Sequence, residues 1–234
     1  YRLYPFPKGE LTLNNTVTLQ NEKLTAKISS LGAQLLSLRS EKTEYMWQAD
    51  KNVWGFTAPV LFPVCGSLNG GHYTFGKKRY EMPIHGFARF KEFEVENLTA
   101  DKACFLLKSD SDTKKSYPFD FELRICFELS LNRLDITYCA KNTGNGKMYF
   151  SFGGHEVYSC PEGADEYFIK FENDSSLTRH MLENGFFNGK TEKINLINNT
   201  LFLDYKEFEK CTYIFKNINS QSVILIKTAA GRCA

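Results

Sequence analysis

Phe121-Glu-Leu-Arg-Ile-Cys-Phe-Glu-Leu129 places an apolar side chain at every odd position and a polar or small one at every even position. Successive side chains of an extended backbone point to opposite sides, so a period of two marks a strand with one buried face. Leu134-Asp-Ile-Thr-Tyr-Cys139 follows in the same style, and Asn132-Arg133 between the two runs reads as a hairpin connection. Working outward, Val17-Thr-Leu-Gln-Asn21, Leu24-Thr-Ala-Lys-Ile28 and Cys104-Phe-Leu-Leu-Lys108 alternate or run apolar between clusters of Asn, Asp, Gly and Ser. Asn142-Thr-Gly-Asn-Gly146 reads as a second hairpin connection, with an Asn-Gly pair suited to positive φ. Leu31-Gly-Ala-Gln-Leu-Leu-Ser-Leu38 is either a short helix or a strand entered through a bulge at Gly32. The pattern predicts an all-β fold; the strand order does not follow from it.

At 234 residues the chain is long enough for one large β domain, and no linker-like stretch or solenoid-length repeat divides it. A single domain over residues 1–234 is expected. With 29 basic and 27 acidic side chains the formal charge is only +2, which gives no electrostatic case for nucleic acid or an anionic membrane and favours a neutral partner. No run of eighteen apolar residues occurs, and Tyr1-Arg-Leu-Tyr-Pro-Phe-Pro-Lys8 lacks the charged-then-apolar order of a signal peptide. The expectation is a soluble, cytoplasmic protein; its oligomeric state cannot be read.

Seven scattered cysteines, without a CxxC pair or a Cys/His cluster spaced for zinc, argue against a disulfide framework and a metal site. Cys104, Cys126 and Cys139 lie in apolar stretches and are expected to be buried thiols. Cys65, in Pro-Val-Cys-Gly, is expected to fill core or to border a pocket.

Two of the four histidines stand in Gly-rich punctuation, in Met82-Pro-Ile-His85-Gly-Phe-Ala-Arg89 and in Ser151-Phe-Gly153-Gly154-His155. A neutral imidazole takes or gives a proton near pH 7, and an adjacent Gly lets a ligand approach the backbone. The pair therefore marks either a site or two hydrogen-bonded structural histidines at strand ends. The aromatic share, with twenty Phe and twelve Tyr, exceeds what a small sandwich core needs; any one ring is expected to pack in the core, and some are expected to line a groove.

Trp54-Gly-Phe-Thr-Ala-Pro59-Val-Leu-Phe-Pro63-Val-Cys-Gly66, Tyr80-Glu-Met-Pro-Ile-His85-Gly-Phe-Ala-Arg89, Phe93, Tyr117-Pro-Phe119 and Met148-Tyr-Phe150-Ser-Phe-Gly153-Gly-His155 follow one another in that order. Through them nearly the whole chain resembles aldose 1-epimerase (galactose mutarotase-like) proteins, especially the LacX-type bacterial branch. It implies a galactose mutarotase-like super-sandwich that binds an aldohexose and interconverts its α and β anomers. An acid protonates the ring oxygen, a base removes the anomeric hydroxyl proton, and the opened aldehyde rotates and recloses. No cofactor or metal is needed for this chemistry, in keeping with the lack of a Gly-x-Gly-x-x-Gly or P-loop motif. The resemblance makes His155 the general acid and His85 a substrate-binding group near the same oxygen; Arg89 would contact a hydroxyl or order the loop. Phe62, Phe87 or Phe152 would line the pocket, and Glu156 would be an exposed or supporting carboxylate.

The chain departs from the family pattern in three places. The family's base is a Glu near the C-terminus in a Glu-Pro-Trp-like context, and the sequence stops at Ile226-Lys-Thr-Ala-Ala-Gly-Arg-Cys-Ala234 before such a motif. Cys211 stands where relatives carry a sugar-binding Asp, and Gly66-Ser67-Leu68 lacks the Arg that often follows the Gly. The expectation is a super-sandwich without its C-terminal strands, showing an apolar edge near residues 211–226 and turning over slowly. A carbohydrate-binding or sensor module on the same fold is the competing class, and a plain structural sandwich a third.

Overall fold

The computed structural model describes residues 15–204, 206–207 and 212–227; Cys211 and the tail from 228 onward lie outside them. The chain divides into two compact units, Tyr1–Ser159 and Cys160–Ala234, each with its own apolar cluster. Among the described residues no helix is long and apolar enough to cross a membrane.

The first unit contains β1 (Thr16–Gln20), β2 (Thr25–Ser29) and β3 (Gln34–Arg39), an antiparallel meander, and a hairpin of β5 (His72–Phe75) and β6 (Lys78–Glu81). The segment around Gly32 is thus turn and strand, not helix: Gly32 takes φ +74°, and its missing Cβ would stand 2.8 Å from the Arg89 carbonyl oxygen. A second sheet has the order β10-β9-β8-β7, with β7 spanning Glu94–Leu98, β8 Lys102–Lys108, β9 Phe121–Ser130 and β10 Arg133–Asn142. In β9 the odd residues Phe121, Leu123, Ile125, Phe127 and Leu129 are all buried, which is what their period of two predicts. They pack with Phe105 of β8 and with Leu19, Ala26, Ile28 and Leu35 of the meander in one continuous core. Removing any of its phenylalanines is expected to cost about 3–5 kcal/mol.

Several local expectations change. The Asn142–Gly146 turn is closed by the Asn142 side chain, whose Oδ1 accepts from the Gly144 N–H and whose Nδ2 donates to the Gly146 carbonyl. Neither Asn145 nor Gly146 takes positive φ. Cys104 and Cys126 are not free thiols: the β8–β9 register sets them opposite each other with Cα atoms 4.1 Å apart, and they form a disulfide. Register is invisible in sequence spacing, so the pairing could not be foreseen. Cys139 is exposed, because β10 turns it to the outward face opposite Arg124, and Cys65 is exposed as well.

In the second unit, β12 (Tyr167–Phe171) lies between β15 (Thr200–Phe202) and β16 (Val223–Lys227), while β13 (Ser176–Glu183) and β14 (Phe186–Asn195) form a hairpin. Phe171, Leu177 and Leu201 centre its small core. Buried Arg179 lies 4.3 Å over the Tyr213 ring and pairs with Glu207. Among the described residues β16 pairs only with β12, and its Val223, Ile224 and Leu225 are exposed, an apolar edge within the stretch where one was expected.

Candidate active site

Residues 60–63 explain how two histidines seventy positions apart in the chain come together. In the first unit, β4 (Val60–Leu61) pairs antiparallel with β11 (Gly153–Gly154), and Ser151 N–H donates to the Pro63 carbonyl. On its other side Phe62 bridges to Gly86: Phe62 N–H donates to the His85 carbonyl, and the Phe87 and Ala88 amides donate to the Phe62 carbonyl. One short strand thus holds the His85 loop on one edge and the run into His155 on the other. Gly86 permits this approach, since a Cβ there would fall 2.1 Å from the Phe62 carbonyl oxygen.

The imidazole rings of His85 and His155 stand 5.7 Å apart between centroids, edge to face at 76°. His85 has φ +64°, a left-handed conformation that costs a non-glycine residue roughly 1 kcal/mol or more and requires support. Gly66 supplies it twice, accepting the His85 amide proton at 2.9 Å and donating its own N–H to His85 Nδ1 at 3.0 Å. With Nδ1 an acceptor, the neutral ring carries its proton on Nε2. Burial first, then Arg89 and His155, lower the His85 pKa to about 4, so at neutral pH this ring is an uncharged Nε2–H donor.

His155 stacks on Trp54, with centroids 5.5 Å apart and planes 20° apart. Arg89 lies against the rings of Phe56 and Phe90 at 5.4 and 4.7 Å, and its Nη2 donates to the carbonyl of Ile84, the residue before His85. Its Nε is buried with no hydrogen-bond partner among the described residues, and burial lowers the guanidinium's pKa without removing its charge at pH 7. Arg89 therefore orders the His85 loop.

Glu156 folds back over Gly154 and accepts from the Tyr138 hydroxyl at 3.2 Å. Burial, with the nearby Glu156 charge, pushes the Tyr138 hydroxyl well above the usual tyrosine range. Phe152 stacks on Tyr138 and Phe150 on Phe152. Phe152 is exposed, and Phe150 also packs on Phe62. Phe62 and Phe87, expected to line the pocket, belong to the core; the rings packed on His155 and Arg89 are Trp54 and the Phe56–Phe90 pair. The Trp54 stack and the Gly66–His85 bond carry no sequence signal beyond the residues' presence in motifs. An open depression of about 580 Å³ on the outer face of the β1–β3 meander, bordered by Lys27, Arg39, Glu41 and Glu44, includes neither histidine.

Residues 15–228 match the family model described as aldose 1-epimerase. Protein LacX (plasmid) of Lactococcus lactis subsp. lactis is 30% identical over 233 residues, covering 93% of this chain and 77% of that protein. Among solved structures, a galactose mutarotase related enzyme from Lactobacillus acidophilus matches with 31% identity and a TM-score of 0.85, covering 91% of this chain and 73% of its own. A galactose mutarotase-like protein from Lactobacillus casei matches with 30% identity and the same TM-score, covering 91% and 76%. The fold is all-β and galactose mutarotase-like, and the chain belongs to the aldose 1-epimerase family.

Proposed function

We propose that this chain binds an aldohexose between His85 and His155 and that the chemistry of the site is aldose 1-epimerisation by ring opening. The observation that carries the reading is the 5.7 Å approach of the two imidazoles on either side of one short strand, in a chain of this family. In this reading His155, in its protonated form, gives its proton to the ring oxygen as the C1–O bond breaks. A base takes the anomeric hydroxyl proton, the C1–C2 bond rotates, and reclosure from the other face returns the proton. His85, held neutral with Nε2–H free, cannot be the base that accepts at Nε2; it donates a hydrogen bond to a sugar oxygen near the one His155 protonates. Arg89 keeps the His85 loop in register and offers its remaining N–H groups to a hydroxyl.

Glu156, the carboxylate next to His155 in the chain, is engaged by Tyr138. That observation favours a second reading, a hexose-binding module without appreciable turnover. Polarimetry on freshly dissolved α-glucose and α-galactose separates the two. Weak binding with mutarotation little above buffer supports binding; a positioned base commonly contributes about 10²–10⁴-fold. Fast turnover abolished by His155→Ala supports the enzyme. If neither rate nor sugar binding responds to His155→Ala or His85→Asn, both readings fall and the histidines are structural.

A further inference from the structure

His155, the acid of the proposed reaction, is the least tethered side chain of the site. Its ring makes no hydrogen bond to any described residue and is held by two ring contacts, the face of Trp54 and the edge-on His85. Rotation about the Cβ–Cγ bond of histidine has broad, shallow preferences, so an imidazole without a hydrogen bond has no fixed plane of its own. Trp54 is anchored where His155 is not. Its N–H donates to the Asp50 carbonyl at 2.7 Å, its carbonyl accepts from Trp47 Nε1 at 2.8 Å, and its ring packs on Phe56. The indole N–H of Trp54 is buried without an acceptor among the described residues. A buried donor left unsatisfied costs stability that Phe or Leu at this position would not incur.

We propose that Trp54 is a positioning residue for His155: by stacking on the imidazole it fixes the plane of the ring, and so the direction in which its nitrogens meet the sugar. The proposal rests on the reading of His155 as a sugar-facing acid. It requires only ring geometry and no hydrogen bond from the indole nitrogen.

The test compares the wild-type chain with Trp54→Leu and Trp54→Phe by NMR of the imidazole protons, assigned with His155→Ala, and by titration with glucose and galactose. In the wild type the His155 ring protons should lie upfield, displaced by the ring current of the indole. Trp54→Leu should return them to ordinary positions and weaken hexose binding by about three- to tenfold, the range set by loss of one aromatic contact. Trp54→Phe, which keeps a face and loses the N–H, should retain part of the displacement and bind within about twofold of wild type. Undisplaced His155 resonances in the wild type would overturn the stack whether or not Trp54→Leu folds. Equal loss of binding in Trp54→Phe and Trp54→Leu would overturn it too, by assigning the effect to the N–H. Wild-type hexose binding that His155→Ala leaves unchanged would sink the acid reading and the positioning role together; upfield resonances with Trp54-independent binding would sink the positioning role alone.

Discussion

The N–H of Gly66 donates to Nδ1 of His85, and this single bond of 3.0 Å decides which nitrogen of the ring carries the proton. A donor at that position is compatible only with an unprotonated Nδ1, so protonating the ring both breaks the bond and sets its N–H against that of Gly66. The first prediction follows from that conflict. The unfolded ring gains its proton below pH 6.5, the folded ring only below about 4, so the unfolded state binds more protons throughout that window. Stability contributed by neutral His85 is present above pH 6.5 and lost as pH falls toward 4. Urea unfolding midpoints of the wild type should drop over this range more steeply than those of His85→Asn; parallel profiles would contradict the assignment.

Gly86→Ala should be among the most damaging single substitutions in the chain. The new methyl would sit 2.1 Å from the Phe62 carbonyl oxygen, at φ +72°, and the strand that receives His155 on its other edge would have to move. We expect a loss of at least about 2–3 kcal/mol, beyond the ordinary cost of a strained alanine. Gly66→Ala meets nothing within 4 Å, so its penalty should be smaller and confined to φ +87°. Thermal unfolding of the two variants side by side checks the order.

Arg89→Met keeps the bulk between Phe56 and Phe90 but removes the donor to Ile84 and the cation over the two rings. A stability loss of about 1–2 kcal/mol is expected, the size of one charge-assisted hydrogen bond less its solvation. Arg89→Lys should rescue little, because a point charge cannot lie flat on a ring and reach the carbonyl together. Hydrogen exchange at the amides of His85 and Gly86 should quicken in both variants.

Glu156→Gln separates support from catalysis. As the partner of Tyr138 the carboxylate contributes packing and one hydrogen bond, which the amide reproduces, so hexose binding and any mutarotation rate should stay within about twofold. A fall of about 10²-fold or more would instead identify Glu156 as the base.

How much of this was legible beforehand varied with the kind of physics involved. The alternation in Phe121–Leu129 announced its own buried face, because period and burial are the same fact viewed twice. Leu31–Leu38 stayed ambiguous until β2 was known to lie beside it. Cys104 and Cys126 look like two apolar fillers in any reading that lacks the register. At the site, the two histidines and Arg89 stood out through motif and resemblance, whereas the tautomer of His85 depends on one backbone amide nineteen residues earlier. Phe62 and Phe87 illustrate the opposite error: proximity to a motif says nothing about whether a ring faces the core.

Because Val60–Pro63 contacts both histidine segments through main-chain groups, exchanging parts between family members has a natural grammar. Residues 60–66 and 85–90 read each other atom by atom, through the Phe62–Gly86 and Gly66–His85 contacts, and must be inherited from one parent. The 150–155 run docks by a short antiparallel ladder and by one side-chain bond, the Cys65 N–H donating to the Ser151 hydroxyl, so both parents must carry a hydroxyl at 151. Recombinants with one crossover between 91 and 149 should therefore keep the paired imidazoles, while a breakpoint between 67 and 84 should scatter them.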